Sequence, residues 1–195
     1  MAGAGPVFYF DLASPEAYLA AERVLTVMPV ATEWVPVLAR DLPGVESFEA
    51  FRCAEERDIA LASVERRAAA RGLQPLRWSD PFPFDSELAM LAATYAKQIG
   101  RVVAFSLAAF RQAFAGGRSL EEEDNVLIAG SACEMHPAAV AKAVRTQGVV
   151  RALGDATALA AARGVRDVPA IWTGDEVFHG DAALECAAGV LATAS

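Results

Sequence analysis

A short apolar strand that runs directly into a helix start is the most constraining feature of this sequence. Val7–Phe10 is rich in aromatic and β-branched residues, which predicts a buried strand. Ser14 then stands at the N-cap position of a helix, with Pro15 as its first residue and Glu16 in its first turn. The free N–H groups of such a helix and the Ser14 hydroxyl meet at one point, which favours an anion. Taken alone, the pattern is more simply explained as an ordinary helix cap.

Length and charge limit the classes of protein that this chain can belong to. Its 195 residues are 54% hydrophobic, enough for one domain, or one domain with an insertion, around a substantial core. The net charge of −8 argues against a nucleic-acid surface, which needs clustered positive charge. We also expect no membrane span, since no apolar run reaches about 18 residues, and no signal peptide.

The cysteines and histidines argue against redox and metal centres. Cys53, Cys133 and Cys186 are far apart and none belongs to a Cys-x-x-Cys motif. We expect all three to be buried, reduced residues of a cytoplasmic protein. His136 and His179 do not have metal-ligand spacing, so no metal site is predicted.

A second strand is predicted at residues 33–37, where Pro36 suits the edge of a sheet. After this strand, the middle of the chain is predicted to be helical almost throughout. Ser86 is a predicted helix cap, Ser119 and Glu122 form a predicted capping box, and Gly148 is a predicted break between helices. The predicted helices span residues 47–71 (stopped by Gly72), 86–100, 102–115, 119–129, 137–147 and 149–163 (followed by Gly164).

The end of the chain returns to strands. Residues 168–173 and 176–179 predict a hairpin around a two-residue turn, Gly174-Asp175. A final helix follows Gly180 and Asp181. Its predicted apolar positions are Leu184, Cys186, Ala187, Val190 and Leu191.

Three motifs together resemble the DsbA family, in particular the branch of 2-hydroxychromene-2-carboxylate isomerases and kappa-class glutathione transferases. The motifs are Phe8-Tyr9-Phe10-Asp11-x-x-Ser14-Pro15-x-x-Tyr18-Leu19, Gly164-Val165-x-x-Val168-Pro169 and Gly174-Asp175-Glu176-x-Phe178-x-Gly180. The resemblance covers nearly the whole chain and implies an α/β, thioredoxin-like fold with a large all-helical insertion. Residues 1–44 and 149–195 would form the thioredoxin-like domain, and residues 45–148 the inserted helical domain.

The resemblance also implies a site and a ligand. Val168-Pro169 would be a cis peptide facing the start of the first helix, and glutathione would place its thiol beside Ser14, where DsbA has its redox cysteine. Ser14 would stabilise the thiolate, and Gly180 would help to bind glutathione.

The resemblance implies further groups and partners. The family's acidic ligand residue corresponds to Ala182 here, so Asp181 would have to replace it. Glu16 and His179 are possible auxiliary groups, although His179 also fits an ordinary strand end. The second substrate would be a small aromatic or hydrophobic molecule, and the protein a homodimer.

Two other functions remain alternatives. A dithiol oxidoreductase would need a cysteine at the helix start, and Ser14-Pro15-Glu16-Ala17 has none. A non-catalytic member of the family would bind another thiol, a peptide or a small acid. The missing acidic residue at Ala182 favours that third hypothesis.

Overall fold

The computed structural model describes residues 5–44, 54–180 and 182–193, which contain four strands and eight α-helices. In chain order these elements are β1 (Val7–Phe10), α1 (Pro15–Val27), β2 (Glu33–Pro36), a 3₁₀ turn (Ala39–Asp41), α2 (Ala54–Ala70), α3 (Glu87–Gln98), α4 (Val102–Phe114), α5 (Glu123–Ser131), α6 (Pro137–Ala143), α7 (Gln147–Ala162), β3 (Ala170–Trp172), β4 (Val177–His179) and α8 (Ala183–Thr193).

The strands form one mixed sheet in the order β2-β1-β3-β4. The central strand β1 pairs with β2 in parallel and with β3 antiparallel, and β3 pairs with β4 antiparallel. Pro36 therefore lies on an edge strand, as predicted. The predicted hairpin is also confirmed: the Thr173 N–H donates to the Glu176 carbonyl over 3.0 Å and closes the two-residue turn between them.

Alternate residues of β1 enter two different hydrophobic clusters. Phe8 and Phe10 belong to the main core, where Phe8 meets Trp34 of β2 edge to face with ring centroids 4.9 Å apart. Val7 and Tyr9 belong to a smaller cluster on the opposite face of the sheet, with the end of α7. All four residues of β1 are consequently buried, which explains why this strand reads as a continuous apolar run.

Four of the helices between β2 and β3 pack on the sheet or on α1: α3 and α7 contact β2, and α2 and α4 contact α1. Helix α3 contacts α4, α7 and β2, while α4 also contacts α1. Helix α2 contacts α1 as well. The start of α1, where Ser14 lies, is therefore held by the sheet and by the helical block together.

Two predicted helix starts are wrong. The capping box does not form, because α5 begins at Glu123 and the Ser119 hydroxyl accepts from the Glu121 N–H over 3.3 Å. The amide of buried Asn125 donates to the Ser119 carbonyl over 2.8 Å and fixes this turn ahead of the helix. Gly148 is also not a break, because it lies inside α7.

Other predictions hold in part. Ser86 precedes α3 as predicted, but its side chain does not cap that helix, because the Asp85 carboxylate accepts the Glu87 N–H over 2.8 Å instead. The left-handed stop at Gly72 is confirmed, with φ of 68°. Of the long helix predicted over 47–71, residues 47–53 lie outside the described ranges.

The predicted apolar face of α8 needs correction. Leu184 and Ala187 are buried together with Ala183, whereas Cys186 and Val190 are exposed. The face that contacts the sheet is therefore narrower than the sequence pattern indicates. No helix in the described ranges combines the length and the apolar character needed to cross a membrane.

Candidate active site

Ser14 lies in the turn between β1 and α1, where its hydroxyl makes two different hydrogen bonds. The oxygen accepts the Ala17 N–H over 3.1 Å, which confirms the predicted helix cap. The hydroxyl hydrogen is directed at the Val168 carbonyl, 3.5 Å away. The Ser14 residue is half-buried, so a ligand can reach it.

Val168 and Pro169 stand opposite the start of α1, as the resemblance implies. The peptide bond between them is cis. The Pro169 carbonyl accepts the Gly180 N–H over 2.9 Å, which joins this segment to the end of β4. Gly180 has a φ of 76°, a left-handed conformation that favours glycine. The structure thus brings Ser14, Val168, Pro169 and Gly180 to one end of the sheet.

The predicted ligand residues after Gly180 are only partly placed. Asp181 lies outside the described residues. Ala182, at the position where the family's acidic residue was expected, is exposed just before α8. Its methyl group supplies no acceptor for an amine.

Asp11 fixes the position of the turn that carries Ser14, a role that the sequence analysis did not assign. Its buried carboxylate accepts the N–H groups of Ala13 and Ala39, both over 2.9 Å, and the Ser86 hydroxyl. Burial raises the pKa of the Asp11 carboxyl, against the lowering effect of these hydrogen bonds. One carboxylate therefore joins the β1–α1 turn, the 3₁₀ turn after β2 and the start of α3.

The Glu16 carboxylate, which would compete with a bound anion for the positive end of α1, is paired with an arginine. Arg67, on α2, donates to the Glu16 carboxylate over 2.6 Å. The sequence analysis did not pair them, because they lie 51 positions apart. This ion pair offsets the negative charge that Glu16 would otherwise place beside an anion at Ser14.

Asp167 lies next to Val168 and is the second residue that the sequence analysis missed. Although Asp167 is at the surface, its Oδ1 accepts the Val168 N–H over 2.6 Å. Partial burial raises the pKa of the Asp167 carboxyl, and the charge of Glu16 raises it further, while the Val168 N–H and His179 lower it. Its position directly before the Val-Pro pair was the available sequence signal.

His179 ends β4 and is used as a hydrogen-bond acceptor. Its Nε2 accepts the Arg166 N–H over 3.0 Å, which requires that nitrogen to be unprotonated. Partial burial lowers the pKa of His179, in agreement with a neutral imidazole. In this geometry His179 supports the loop before Val168.

Two of the three cysteines and one recess can be placed in the described part of the chain. Cys133 is buried, as predicted, and burial raises the pKa of its thiol. Cys186 is exposed, contrary to the prediction. Cys53 lies outside the described residues. No cluster of metal-binding side chains occurs in the part of the chain that the structure describes. A shallow recess of about 290 Å³ is lined by none of the site residues named above; its lining residues are Pro36, Thr94, Lys97, Gln98, Ala152 and Ala156.

The Ser14 helix also carries one edge of an aromatic cluster. Tyr18 stacks on Phe114 with ring centroids 5.5 Å apart, and Phe114 meets Phe82 at 6.3 Å. Trp78 contacts both phenylalanines and remains half-buried. Tyr18, Phe82 and Phe114 are buried in the main core, and Trp78 is the partly accessible ring of this cluster.

Comparison with known proteins agrees with the fold that the resemblance implies. The family model of the DSBA-like thioredoxin domain matches residues 7–192. No functionally curated protein matches the sequence.

Solved structures superpose over nearly the whole chain at low identity. A 2-hydroxychromene-2-carboxylate isomerase has a TM-score of 0.86 at 17% identity, covering 98% of this chain and 96% of the isomerase. A probable DsbA oxidoreductase from Streptomyces coelicolor has a TM-score of 0.77 at 18% identity, covering 97% and 88%. The cytosolic disulfide reductase DsbM from Pseudomonas aeruginosa, solved with GSH, has a TM-score of 0.66 at 13% identity, covering 98% of each chain. The chain belongs to the DSBA-like thioredoxin domain family.

Proposed function

We propose that this protein is a glutathione-dependent isomerase or transferase in which Ser14 stabilises the glutathione thiolate at the start of α1. The observation that carries the proposal is the pair of hydrogen bonds at Ser14. Its oxygen is held by the Ala17 N–H, while its hydrogen is only loosely engaged by the Val168 carbonyl at 3.5 Å. A bond of that length is at the limit of hydrogen bonding, so turning the hydrogen towards a thiolate would cost little.

The free energies at this site are sufficient for the proposed role. Lowering a thiol pKa from about 8.5 to about 7 requires roughly 2 kcal/mol. A helix N-terminus supplies about 0.3–1 kcal/mol, and a hydroxyl hydrogen bond to an anion about 1.5–3 kcal/mol. The two contributions together are enough, whereas the helix alone is not. The Arg67–Glu16 ion pair supports this balance by compensating the carboxylate in the first turn of α1.

The relatives support the choice of ligand and reaction class. One structural neighbour is an isomerase of 2-hydroxychromene-2-carboxylate, and another was solved with GSH. The chain has serine where a dithiol catalyst needs cysteine, which favours thiolate addition over disulfide exchange. The half-buried ring of Trp78, at the edge of the aromatic cluster that contains Tyr18, supports a small aromatic or hydrophobic second substrate.

A second candidate function is supported by one specific observation. The Asp167 carboxylate already occupies the Val168 N–H, the group that an extended peptide ligand would use. Together with Ala182 at the usual acidic position, this argues against glutathione and favours the alternative of a non-catalytic member, with another thiol as its ligand rather than an extended peptide.

Calorimetric titration distinguishes the two functions. We expect glutathione to bind with Kd below about 1 mM, which corresponds to roughly 4 kcal/mol. Ser14→Ala should weaken glutathione binding about tenfold or more, and should weaken S-hexylglutathione binding less, because that ligand has no free thiol. Ser131→Ala is the matched control, since its exposed hydroxyl donates to the Leu127 carbonyl of its own helix. No heat with either ligand would reject the glutathione proposal.

A further inference from the structure

Besides the buried Asp11, two carboxylates belong to the segments that meet at Ser14, Glu16 in the first turn of α1 and Asp167 directly before Val168, and they are compensated differently. Glu16 is paired with Arg67 over 2.6 Å. Asp167 has no arginine or lysine partner among the described residues, and its carboxylate accepts a backbone N–H instead. The charge nearest to the Val168 segment is therefore an acidic group that the fold leaves without a cation.

The position of Asp167 matters because of what Val168 offers to a ligand. A ligand with an extended backbone pairs with Val168 through two hydrogen bonds: the Val168 N–H is the donor in one and the Val168 carbonyl is the acceptor in the other. The carbonyl faces the Ser14 hydroxyl at 3.5 Å, whereas the N–H is already bound by Asp167 at 2.6 Å. A backbone N–H has one hydrogen, so a ligand must displace this carboxylate to complete the pairing.

We propose that Asp167 is the specificity-determining residue of the Ser14 site, because its carboxylate competes with the ligand backbone for the Val168 N–H and places negative charge beside the thiolate position. This inference rests on the proposed function and adds to it. The carboxylate weakens the binding of ligands that bring both an extended backbone and an anionic sulfur, glutathione included, so the wild-type site binds glutathione less tightly than it would without Asp167. It favours ligands that are bound as the neutral thiol or that need no pairing with Val168.

The surrounding groups do not cancel this charge. Glu16 faces Asp167 from α1 and repels it, while His179 attracts it from β4. The attraction is limited, because the His179 Nε2 accepts the Arg166 N–H and the imidazole is neutral. Arg67, on α2, is engaged with Glu16.

A reporter thiol tests the charge effect without any ligand. Ser14→Cys introduces a thiol at the site, and its pKa is measured from thiolate absorbance over a pH series, with Asp167 retained and with Asp167→Asn. The asparagine keeps an acceptor for the Val168 N–H and removes only the charge. We expect Asp167→Asn to lower the thiol pKa by at least about half a unit. The control Asp175→Asn, in the hairpin turn, should leave the thiol pKa unchanged. An equal thiol pKa with and without Asp167 would overturn the proposal.

Glutathione titration tests the competition. Asp167→Ala removes both charge and acceptor, so it should bind glutathione at least about fivefold more tightly than the wild type, with Asp167→Asn between them. Equal or weaker binding by Asp167→Ala would overturn the inference even if glutathione binds. Absence of binding in all three proteins would reject the proposed function, and the reporter thiol would still decide the role of Asp167.

Discussion

Replacing Asp11 with asparagine tests how the turn carrying Ser14 is held in place. Each carboxylate oxygen of Asp11 accepts one backbone N–H, from Ala13 and from Ala39, and the residue is only 3% exposed. Asparagine has the same shape but only one acceptor oxygen, so its NH₂ group must face the other backbone N–H. Asp11→Asn therefore loses one of the two hydrogen bonds to backbone N–H groups without creating a cavity.

The expected magnitude follows from three opposing contributions. A hydrogen bond to a charged acceptor contributes about 1.5–3 kcal/mol, and a buried N–H left without an acceptor costs about 1–3 kcal/mol. Removing a buried charge recovers part of this loss. We expect the free energy of unfolding to fall by about 2 kcal/mol at neutral pH, which lowers Tm by roughly 4–8 °C for a domain of this size.

The pH dependence of this difference has a definite sign. Burial raises the pKa of Asp11, so the folded protein binds a proton at pH values where the unfolded chain, with a pKa of about 3.9, has lost it. Stability from this group is therefore greatest at low pH and declines as pH rises through the folded-state pKa. The asparagine variant does not titrate, so its deficit relative to the wild type should widen between neutral pH and about pH 4.

Urea unfolding followed by circular dichroism, at neutral and at acidic pH, measures both effects. Asp155→Asn is the control, because Asp155 is exposed on α7, and its free energy of unfolding should stay within about 0.5 kcal/mol of the wild type. An Asp11→Asn protein as stable as this control would refute the assigned role of Asp11. A deficit that narrows towards acidic pH would refute the pKa direction.

Two further predictions concern charge at α1 and glycine conformation. Glu16→Gln removes a negative charge from the first turn of α1, so glutathione affinity measured by calorimetry should rise, while stability falls by about 1 kcal/mol or less; weaker binding would contradict this. Gly180→Ala meets no atom within 4 Å but forces alanine to a φ of 76°, so urea unfolding should show a loss of about 1–2 kcal/mol. Gly148→Ala, equally unobstructed but helical, should gain about 0.5–1 kcal/mol, and equal effects at the two glycines would contradict the conformational argument.

The elements around Ser14 could be predicted because their signals are local. The apolar run of β1, the Ser-Pro helix start and the hairpin turn each depend on residues within a few positions of one another. The start of α5 was missed because Asn125, a residue inside that helix, fixes the preceding turn through its side chain. The helix-capping propensities of Ser119 and Glu122 carry no information about that hydrogen bond.

The interactions that tune the site could not be predicted, because they join distant parts of the chain. Asp11 meets Ala39 across 28 positions, and Arg67 meets Glu16 across 51. On the sequence alone, Arg67 belongs to a charged helix surface. Only the folding of α2 against α1 turns that surface charge into a partner for Glu16.

The most direct test of the account is the ultraviolet absorbance of the glutathione thiolate at neutral pH, measured with saturating wild-type protein and with Ser14→Ala. We expect a thiolate signal with the wild type that is largely lost in the variant, because the hydroxyl supplies the larger share of the required stabilisation of about 2 kcal/mol. Ser14→Ala also removes the helix cap, the hydrogen bond from the Ala17 N–H to Ser14, which contributes about 1 kcal/mol; thermal unfolding checks that the variant is still folded. An equal thiolate signal in both proteins would contradict the central role of Ser14.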